Sequence, residues 1–279
     1  MSEGSPVILL LIVITIYISY KGFKNRAFMQ HYGFDVDKVL THKEYIRILS
    51  SGFLHVGWVH LIFNMIALYS FGSMLEPMLG WLPVLVIYFL ALIGGSLLAL
   101  FIHKNNSTYT SVGASGAVNG IIYASIALAP HMGIGLFILP ITIPAWAFGL
   151  AYVIFSIYGV KAKWGNSGHE AHLGGALTGM LTAIAMYPGA FSINYLPILA
   201  IVLPTIAFLL LIVYKPEILF MDAFSKKGRP YTIDHEYNYK KAQQQMDIDN
   251  ILEKIHKKGL NSLTKREKEA LEQYSKMRK

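Results

Sequence analysis

Seven stretches of mainly apolar residues alternate with polar segments along the chain, and each is close to the length of a membrane-spanning helix. A bilayer core requires about 20 apolar residues in a helix. The first stretch is short by this measure, so we expect its helix either to continue into Lys21–Phe23 or to thin the membrane locally. The pattern predicts an all-α polytopic membrane protein. The seven stretches cover approximately residues 6–20, 59–78, 82–102, 114–130, 137–158, 169–187 and 195–214.

Two polar regions interrupt or follow this pattern. The segment 21–58 carries six basic residues together with aromatic ones, a mix typical of a segment that lies at the membrane surface. The chain becomes polar again after Tyr214. We therefore predict a transmembrane domain over 1–215 and a basic soluble tail over 216–279.

The tail carries the signals of two short helices. Apolar residues at helical spacing indicate the first helix, and Gly259 is a plausible end for it. Thr264 followed by Glu267 is typical of a capping box that opens the second helix. We expect a small helical hairpin or a partly disordered tail. The apolar positions of the first helix are Ile248, Ile251, Leu252 and Ile255.

Charged residues support the membrane prediction by their scarcity. They make up 14% of the chain, against about 25% in soluble domains. A soluble core as long as the segment 48–214 would need a charged surface, so lipid must cover most of that segment. No basic segment or cleavage site for a signal peptide is evident, so we expect the first stretch to be retained. Between Ile48 and Tyr214 the charged residues are Glu76, Lys104, Lys161, Lys163 and Glu170.

The net charge of +8 is concentrated in the tail, which carries 15 Lys and Arg against 10 Asp and Glu from Lys215 onward. A solvated tail near anionic lipid headgroups accounts for this charge, and no motif supports nucleic-acid binding. The chain has no Cys, which excludes disulfides, a thiolate nucleophile and a sulfur metal site.

Two polar residues begin apolar stretches and are flanked by glycines: Ser115 in Gly113-Ala114-Ser115-Gly116, and His172 in Ala171-His172-Leu173-Gly174-Gly175. A hydroxyl and an imidazole near a bilayer are costly unless they have partners or a function. A serine becomes a nucleophile when a base removes its proton. Taken alone, Ser115 is typical of a close-packing site, and His172 of a histidine bonded to a carbonyl or to water.

Glycine spacing favours a contact between the two helices. Small residues four apart let helix backbones approach closely in lipid. Ser167 followed by Glu170 matches a capping box, which places His172 in the second turn of its helix, at a depth comparable with Ser115. We expect a Ser–His dyad without a carboxylate, because Glu170 points elsewhere and serves as the helix cap. The spaced glycines are Gly116 with Gly120 and Gly175 with Gly179.

His60 and Asn64 lie four residues apart and share one helix face. Both side chains can donate hydrogen bonds, which suits an oxyanion hole, and an interhelical hydrogen bond is the alternative. A metal site is less well supported, because no carboxylate or thiolate lies at ligand spacing beside His55 and His60. We expect neither a metal nor a cofactor. Glu76 lies in an apolar stretch, so its carboxylate needs a hydrogen-bonding or charged partner.

Together these motifs resemble those of the rhomboid intramembrane serine proteases, over about residues 44–179. Each motif alone is weak, but the three occur in the order of the family. The resemblance implies a rhomboid-like six-helix core plus a seventh C-terminal helix, with Ser115 as nucleophile and His172 as general base. It also implies an oxyanion hole formed by His60, Asn64 and the Ser115 backbone N–H. Support residues by the same resemblance are Arg47 and His55 in the first loop, Glu76 as a brace of that loop, and Gly113, Gly116, Gly175 and Gly179.

Two positions depart from the family pattern. Ile46 stands where the family has Trp, so the first loop is anchored differently. Asn119 stands where family members often have an aromatic residue that packs against the catalytic imidazole. We hypothesise that Asn119 hydrogen-bonds His172 and orients it.

The resemblance implies a protease that cleaves single-span membrane proteins within or just outside their transmembrane helix, without a cofactor. Two rivals remain: a catalytically silent rhomboid-like protein that binds transmembrane helices, and a transporter. Against the transporter, there is no inverted repeat and almost no intramembrane carboxylate. The oligomeric state stays open.

The membrane and the orientation are also implied by the family. We expect the bacterial inner membrane, with the active site facing away from the cytoplasm. The basic loop and tail lie on the active-site side in a seven-span layout, which the positive-inside rule would place in the cytoplasm. Long loops and late domains follow that rule poorly, so we keep the family orientation.

Overall fold

The computed structural model describes residues 5–136, 139–161 and 168–214, together with a few residues of the tail. The helices of these residues are α1 (Pro6–Lys24), α2 (Arg26–Tyr32), α3 (Val36–Leu40), α4 (Arg47–Ser50), α5 (Trp58–Leu79), α6 (Trp81–His103), α7 (Ser115–Leu128), α8 (Ala145–Lys161), α9 (His169–Met186) and α10 (Gly189–Tyr214). The strands are β1 (Phe34–Asp35), β2 (Thr110–Ser111), β3 (Gly133–Leu136) and β4 (Leu139–Pro144).

Four of the described helices, α1, α5, α6 and α10, are long and apolar enough to cross a bilayer, and α7 and α8 are shorter apolar helices. Their outward faces carry large apolar side chains. Leu10, Phe63 and Leu211 are 57%, 69% and 47% exposed. Such a surface is stable against lipid and not against water.

A helix occupies each of the seven apolar stretches, and α1 continues to Lys24, which confirms the expected extension through Phe23. The prediction for 137–158 is wrong at its beginning, because β4 precedes a helix that starts at Ala145. Pro140 and Pro144 disfavour helix in the residues before them, and the β-branched residues between them favour a strand. The fold is therefore mostly helical and not all-α.

The segment between α1 and α5 forms short elements, α2 to α4 and a 3₁₀ turn at Ser51–Phe53, none of which is long enough to cross a membrane. The buried Arg47 guanidinium holds the segment together. Its Nη1 donates to the carbonyl oxygens of Gln30 (2.7 Å) and Gly33 (2.8 Å), and its Nε donates to the Glu44 carboxylate (2.6 Å). Ile46 is 60% exposed and so contributes little to this anchor.

This segment also contacts the loop before α7. Strand β1 pairs antiparallel with β2, with Phe34 opposite Ser111. The Gly113 N–H donates to the Ser51 carbonyl oxygen over 3.0 Å. The first loop therefore fixes the backbone that leads into Ser115.

Helix α7 lies at the centre of the bundle, and every residue from Gly116 to Ala127 is buried. Its backbone meets that of α9 through glycines. A Cβ added at Gly175 would overlap the Gly116 carbonyl, and one added at Gly179 would overlap the Gly120 backbone. Helix α6 packs on α9 in the same way, since a Cβ at Gly174 would lie 2.8 Å from the Gly94 carbonyl oxygen. Close backbone contact is how small residues join helices in lipid.

Glu76 lies in the last turn of α5, where its carboxylate accepts the backbone N–H groups of Val7 and Ile8 at 2.9 Å each. These are unpaired donors of the first turn of α1, and a negative charge there is favourable. The expected role of Glu76 as a brace of the first loop is wrong. That loop adjoins the other end of α5, a helix of 22 residues and about 33 Å.

In the tail, the described residues confirm the capping box. The Thr264 N–H donates to the Glu267 carboxylate (2.6 Å), and the Glu267 N–H donates to Thr264 Oγ1 (3.3 Å). Ile251 and Leu263 are buried in one small apolar cluster. Ile248, Leu252 and Gly259 lie outside the described residues.

We predict that Gly179→Ala lowers the free energy of unfolding by about 1–3 kcal/mol, because the added methyl group must push α7 and α9 apart. Unfolding in detergent micelles measures the change. Gly189→Ala is the matched control, since a Cβ there meets nothing within 4 Å. Equal stability of the two variants would contradict the close packing of α7 on α9.

Candidate active site

Ser115 is the first residue of α7 and follows a backbone turn at Gly113, where φ is +150°. Only glycine adopts this conformation readily. A Cβ at Gly113 would also lie 2.9 Å from Cε1 and 3.2 Å from Nε2 of His60. The backbone N–H groups of the first turn of a helix have no acceptor within the helix, so Ser115 lies where these donors and the helix dipole favour negative charge.

His172 lies against Ser115. Its Nε2 is 2.7 Å from Ser115 Oγ, a hydrogen-bond distance, and both side chains are partly exposed. The glycine contacts between α7 and α9 bring the two residues together. A partly exposed Ser–His pair at hydrogen-bond distance is the geometry of an activated nucleophile.

The other nitrogen of His172, Nδ1, lies 3.0 Å from the hydroxyl oxygen of Tyr152 in α8. The hypothesis that Asn119 bonds His172 directly is therefore corrected: Asn119 Nδ2 donates to the Ser115 carbonyl oxygen over 2.8 Å. Tyr152 also supplies the aromatic contact that Asn119 cannot, with ring centroids 6.2 Å apart. The sequence contained a signal for Tyr152, because a hydroxyl inside an apolar helix requires a partner.

His60 lies in a cleft with Ser115, whereas Asn64 lies one turn deeper along α5 and does not line that cleft. Asn64 is buried, and its Nδ2 donates to the His60 carbonyl oxygen over 2.9 Å. An amide NH₂ has two hydrogens, so this bond leaves Asn64 one further donor. The structure thus brings His60, but not yet Asn64, to the nucleophile.

The cleft beside Ser115 is lined mainly by small side chains. Ser51, Ser96, Ala99, Ser111, Val112, Gly113, Gly116, Gly168, Leu92 and Ala171 surround Ser115 and His60. The lining combines the hydroxyl groups of Ser51, Ser96 and Ser111 with apolar side chains and glycines. Such a cleft can hold water and a short side chain next to the serine.

Glu170 lies in the first turn of α9, but its carboxylate is bonded mainly to other elements. Its carboxylate accepts hydrogen bonds from the Tyr109 hydroxyl (2.7 Å) and from His103 Nε2 (2.5 Å), and the two donor rings are stacked. The N-cap position of α9 is Gly168, with φ of +66°, and Ser167 lies outside the described residues. Glu170 therefore points away from His172, as expected, and ties α9 to the end of α6.

His55 supports the loop before Ser115. The Ser19 hydroxyl donates to the Phe53 carbonyl oxygen (2.9 Å), so it accepts from His55 Nδ1 (2.9 Å). His55 Nε2 then accepts the Ala114 N–H at 3.4 Å. Burial, and to a smaller extent the neighbouring His60, lowers the pKa of His55 to about 3. The neutral imidazole is the form that this chain of bonds requires.

Among the residues that the structure describes, no group of three or more His, Asp or Glu side chains is placed to hold a metal ion.

These features define a multi-pass integral membrane protein with a Ser–His pair at a cleft between its helices. The family model described as Rhomboid domain matches residues 42–189. The chain belongs to the rhomboid family. A second model, a family of unknown function (DUF6576), matches residues 231–277 of the tail.

Curated relatives carry rhomboid names. Rhomboid protein 1, mitochondrial, of Saccharomyces cerevisiae is 38% identical over 51% of this chain and 43% of its own length. Rhomboid protease GluP of Bacillus subtilis is 30% identical over 70% of this chain and 37% of its own length. Rhomboid-like protease 5 of Toxoplasma gondii is 32% identical over 57% of this chain and 18% of its own length. The chain spans less than half the length of these three relatives.

We predict that acid destabilises the fold through His55. Its pKa is lowered from 6.5 to about 3, so the unfolded chain binds a proton below pH 6.5 that the folded chain does not. The stabilisation by neutral His55 is complete above pH 6.5 and is lost as the pH falls towards 3. Between pH 6.5 and 4.5 the loss is about 2 kcal/mol.

The measurement compares unfolding of the wild type and His55→Gln in micelles across this range. The wild type should be more stable at neutral pH, and the difference should shrink as the pH falls, because glutamine does not titrate. A difference that stays constant down to pH 4.5 would show that His55 is not the acid-sensitive group.

Proposed function

We propose that the protein is an intramembrane serine endopeptidase in which Ser115 is the nucleophile and His172 the general base. The single observation that carries the proposal is the 2.7 Å distance between Ser115 Oγ and His172 Nε2. Rhomboid family membership and relatives named as rhomboid proteases support it.

The reaction needs two steps. Ser115 Oγ attacks the scissile carbonyl carbon while its proton passes to His172 Nε2, and the imidazolium then gives that proton to the departing amine. Water, deprotonated by the same nitrogen, attacks the resulting ester, and the serine regains its proton. Only side chains, backbone and water take part, so the proposal includes no cofactor.

The developing oxyanion requires donors near the nucleophile. The Ser115 N–H, at the N-terminus of α7, and the His60 imidazole in the same cleft are the first candidates. Asn64 is the third, through the amide hydrogen that is not bonded to the His60 carbonyl. A small movement of this side chain when substrate binds would bring that donor to the cleft.

We propose single-span membrane proteins as substrates. A peptide bond in a membrane helix is shielded by its own hydrogen bonds, so the substrate must unwind locally before attack. The hydroxyl groups of Ser51, Ser96 and Ser111 offer partners to the freed backbone groups, while Val112 and Ala171 limit the room for a side chain. Small residues next to the cut bond fit this lining.

The proposed topology has seven membrane spans, α1, α5, α6, α7, α8, α9 and α10, with the site at the end where α7 and α9 begin. We assign the protein to a bacterial cell membrane with this end facing away from the cytoplasm. The match to the Bacillus subtilis relative over 70% of the chain supports a bacterial membrane. The bilayer and a membrane-protein substrate are the partners that the proposal requires.

We predict that Ser115→Ala and His172→Ala each lower cleavage of a reporter transmembrane substrate in liposomes by at least about 1,000-fold. Both variants should also lose labelling by a fluorophosphonate probe, which reacts only with an activated serine. Ser125→Ala is the matched control. Ser125 is buried in the same helix and donates to the Ile121 carbonyl oxygen, away from the cleft.

Each outcome separates the candidate functions. Labelling at Ser115 that requires His172 supports the protease. A wild-type protein that binds the reporter helix but neither cleaves it nor reacts with the probe would instead be a silent helix-binding relative. Substrate movement across the liposome membrane without cleavage would indicate a transporter.

A further inference from the structure

The protonation of His172 determines which group donates in its hydrogen bond with the Tyr152 hydroxyl. If His172 Nε2 accepts the Ser115 proton, the neutral imidazole carries its own proton on Nδ1. At 3.0 Å, the Nδ1–H then donates to the Tyr152 oxygen. A tyrosine hydroxyl can accept this bond and still donate its own hydrogen elsewhere.

Two side chains interact with the Tyr152 hydroxyl, Asn119 in α7 and Ser156 one turn further along α8. Asn119 is the one of the two that joins Tyr152 to the helix of the nucleophile. The amide orientation is fixed, because only the NH₂ group can donate to the Ser115 carbonyl oxygen, at 2.8 Å. The amide oxygen is therefore the atom left to accept from Tyr152.

The four groups form a closed ring of hydrogen bonds in which each donor has one direction. Ser115 Oγ–H donates to His172, His172 Nδ1–H to Tyr152, and Asn119 N–H to the carbonyl of Ser115 itself. The interaction of Tyr152 with Asn119 supplies the fourth bond, from the Tyr152 O–H to the amide oxygen. The ring joins α7, α8 and α9. No member is charged, which suits a region where an unpaired carboxylate would be costly.

We propose that Tyr152 is a positioning residue for His172, and that Asn119 holds Tyr152 in the orientation that it needs. The inference rests on the proposed Ser–His chemistry. Tyr152 keeps the proton of the imidazole on Nδ1, keeps Nε2 free to act as a base, and accepts from the imidazolium formed during attack. It takes the place that an aspartate has in a charged triad.

The first test is Tyr152→Phe in the full chain in liposomes. We expect the rate of fluorophosphonate labelling at Ser115 and kcat for a reporter substrate to fall together by about threefold to tenfold, with KM unchanged. The matched control is Tyr123→Phe. Tyr123 also bridges α7 and α8, donating to the Gly149 carbonyl oxygen at 2.6 Å. It should lose stability and keep the wild-type labelling rate when folded.

The second test is a double-mutant cycle with Asn119→Ala. Because Asn119 acts through Tyr152, the loss in the double variant should be smaller than the product of the two single losses. Multiplied losses would overturn the coupling between the two residues.

The outcomes separate this inference from the dyad itself. Wild-type labelling in Tyr152→Phe, with none in His172→Ala, would overturn the positioning role and leave the dyad in place. No labelling of the wild type would overturn the dyad and this inference with it.

Discussion

The contact between the backbones of α7 and α9 is the constraint on which the rest of the structure depends. Lipid gives two helices no hydrophobic reason to associate, so they are joined by close packing and by polar groups. No side chain fits at Gly175 or Gly179, because the backbone of α7 occupies the position that a Cβ would take. This approach places Ser115 and His172 at the same end of the bundle, 2.7 Å apart. The chemistry is therefore a property of helix packing as much as of the two residues.

A second constraint is that every polar group of the site must find a partner where water is scarce. Several groups of the site meet it with neutral, directional bonds. His55 accepts the N–H of the loop before Ser115, and Asn119 donates to the carbonyl at the start of α7. Among the residues that the structure describes, the carboxylate near the site is that of Glu170, which is satisfied by Tyr109 and His103 and faces away from the dyad. The Glu170 carboxylate therefore lies at the edge of the site, away from Ser115 and His172.

The sequence predicted the helices and the Ser–His pair, because both depend on local patterns: apolar length, glycine spacing and flanking polar residues. It did not predict which residues hydrogen-bond to one another. Glu76 caps α1 and does not brace the first loop, and the partner of His172 is Tyr152 instead of Asn119. These pairings depend on how each helix is rotated about its axis. Rotation can be inferred from the sequence when apolar and polar residues alternate with helical periodicity. A helix that is buried on all sides, such as α7, has no such periodicity. For the strand before α8, the length and hydropathy of the apolar stretch 137–158 predict a helix, and the two prolines that disfavour one are a weaker signal.

The cap that Glu76 provides for α1 has a consequence for the boundaries of the folding unit. The match to the Rhomboid domain begins at residue 42, after α1 has ended, yet the carboxylate that belongs to the matched part is buried against the first turn of that helix. A shortened chain that started at the edge of the match would leave the Glu76 carboxyl group without its two backbone donors, and would also remove Ser19 from His55. In this molecule the segment that matches the family model is bonded to the helix before it, so truncation to that segment removes part of what keeps it folded.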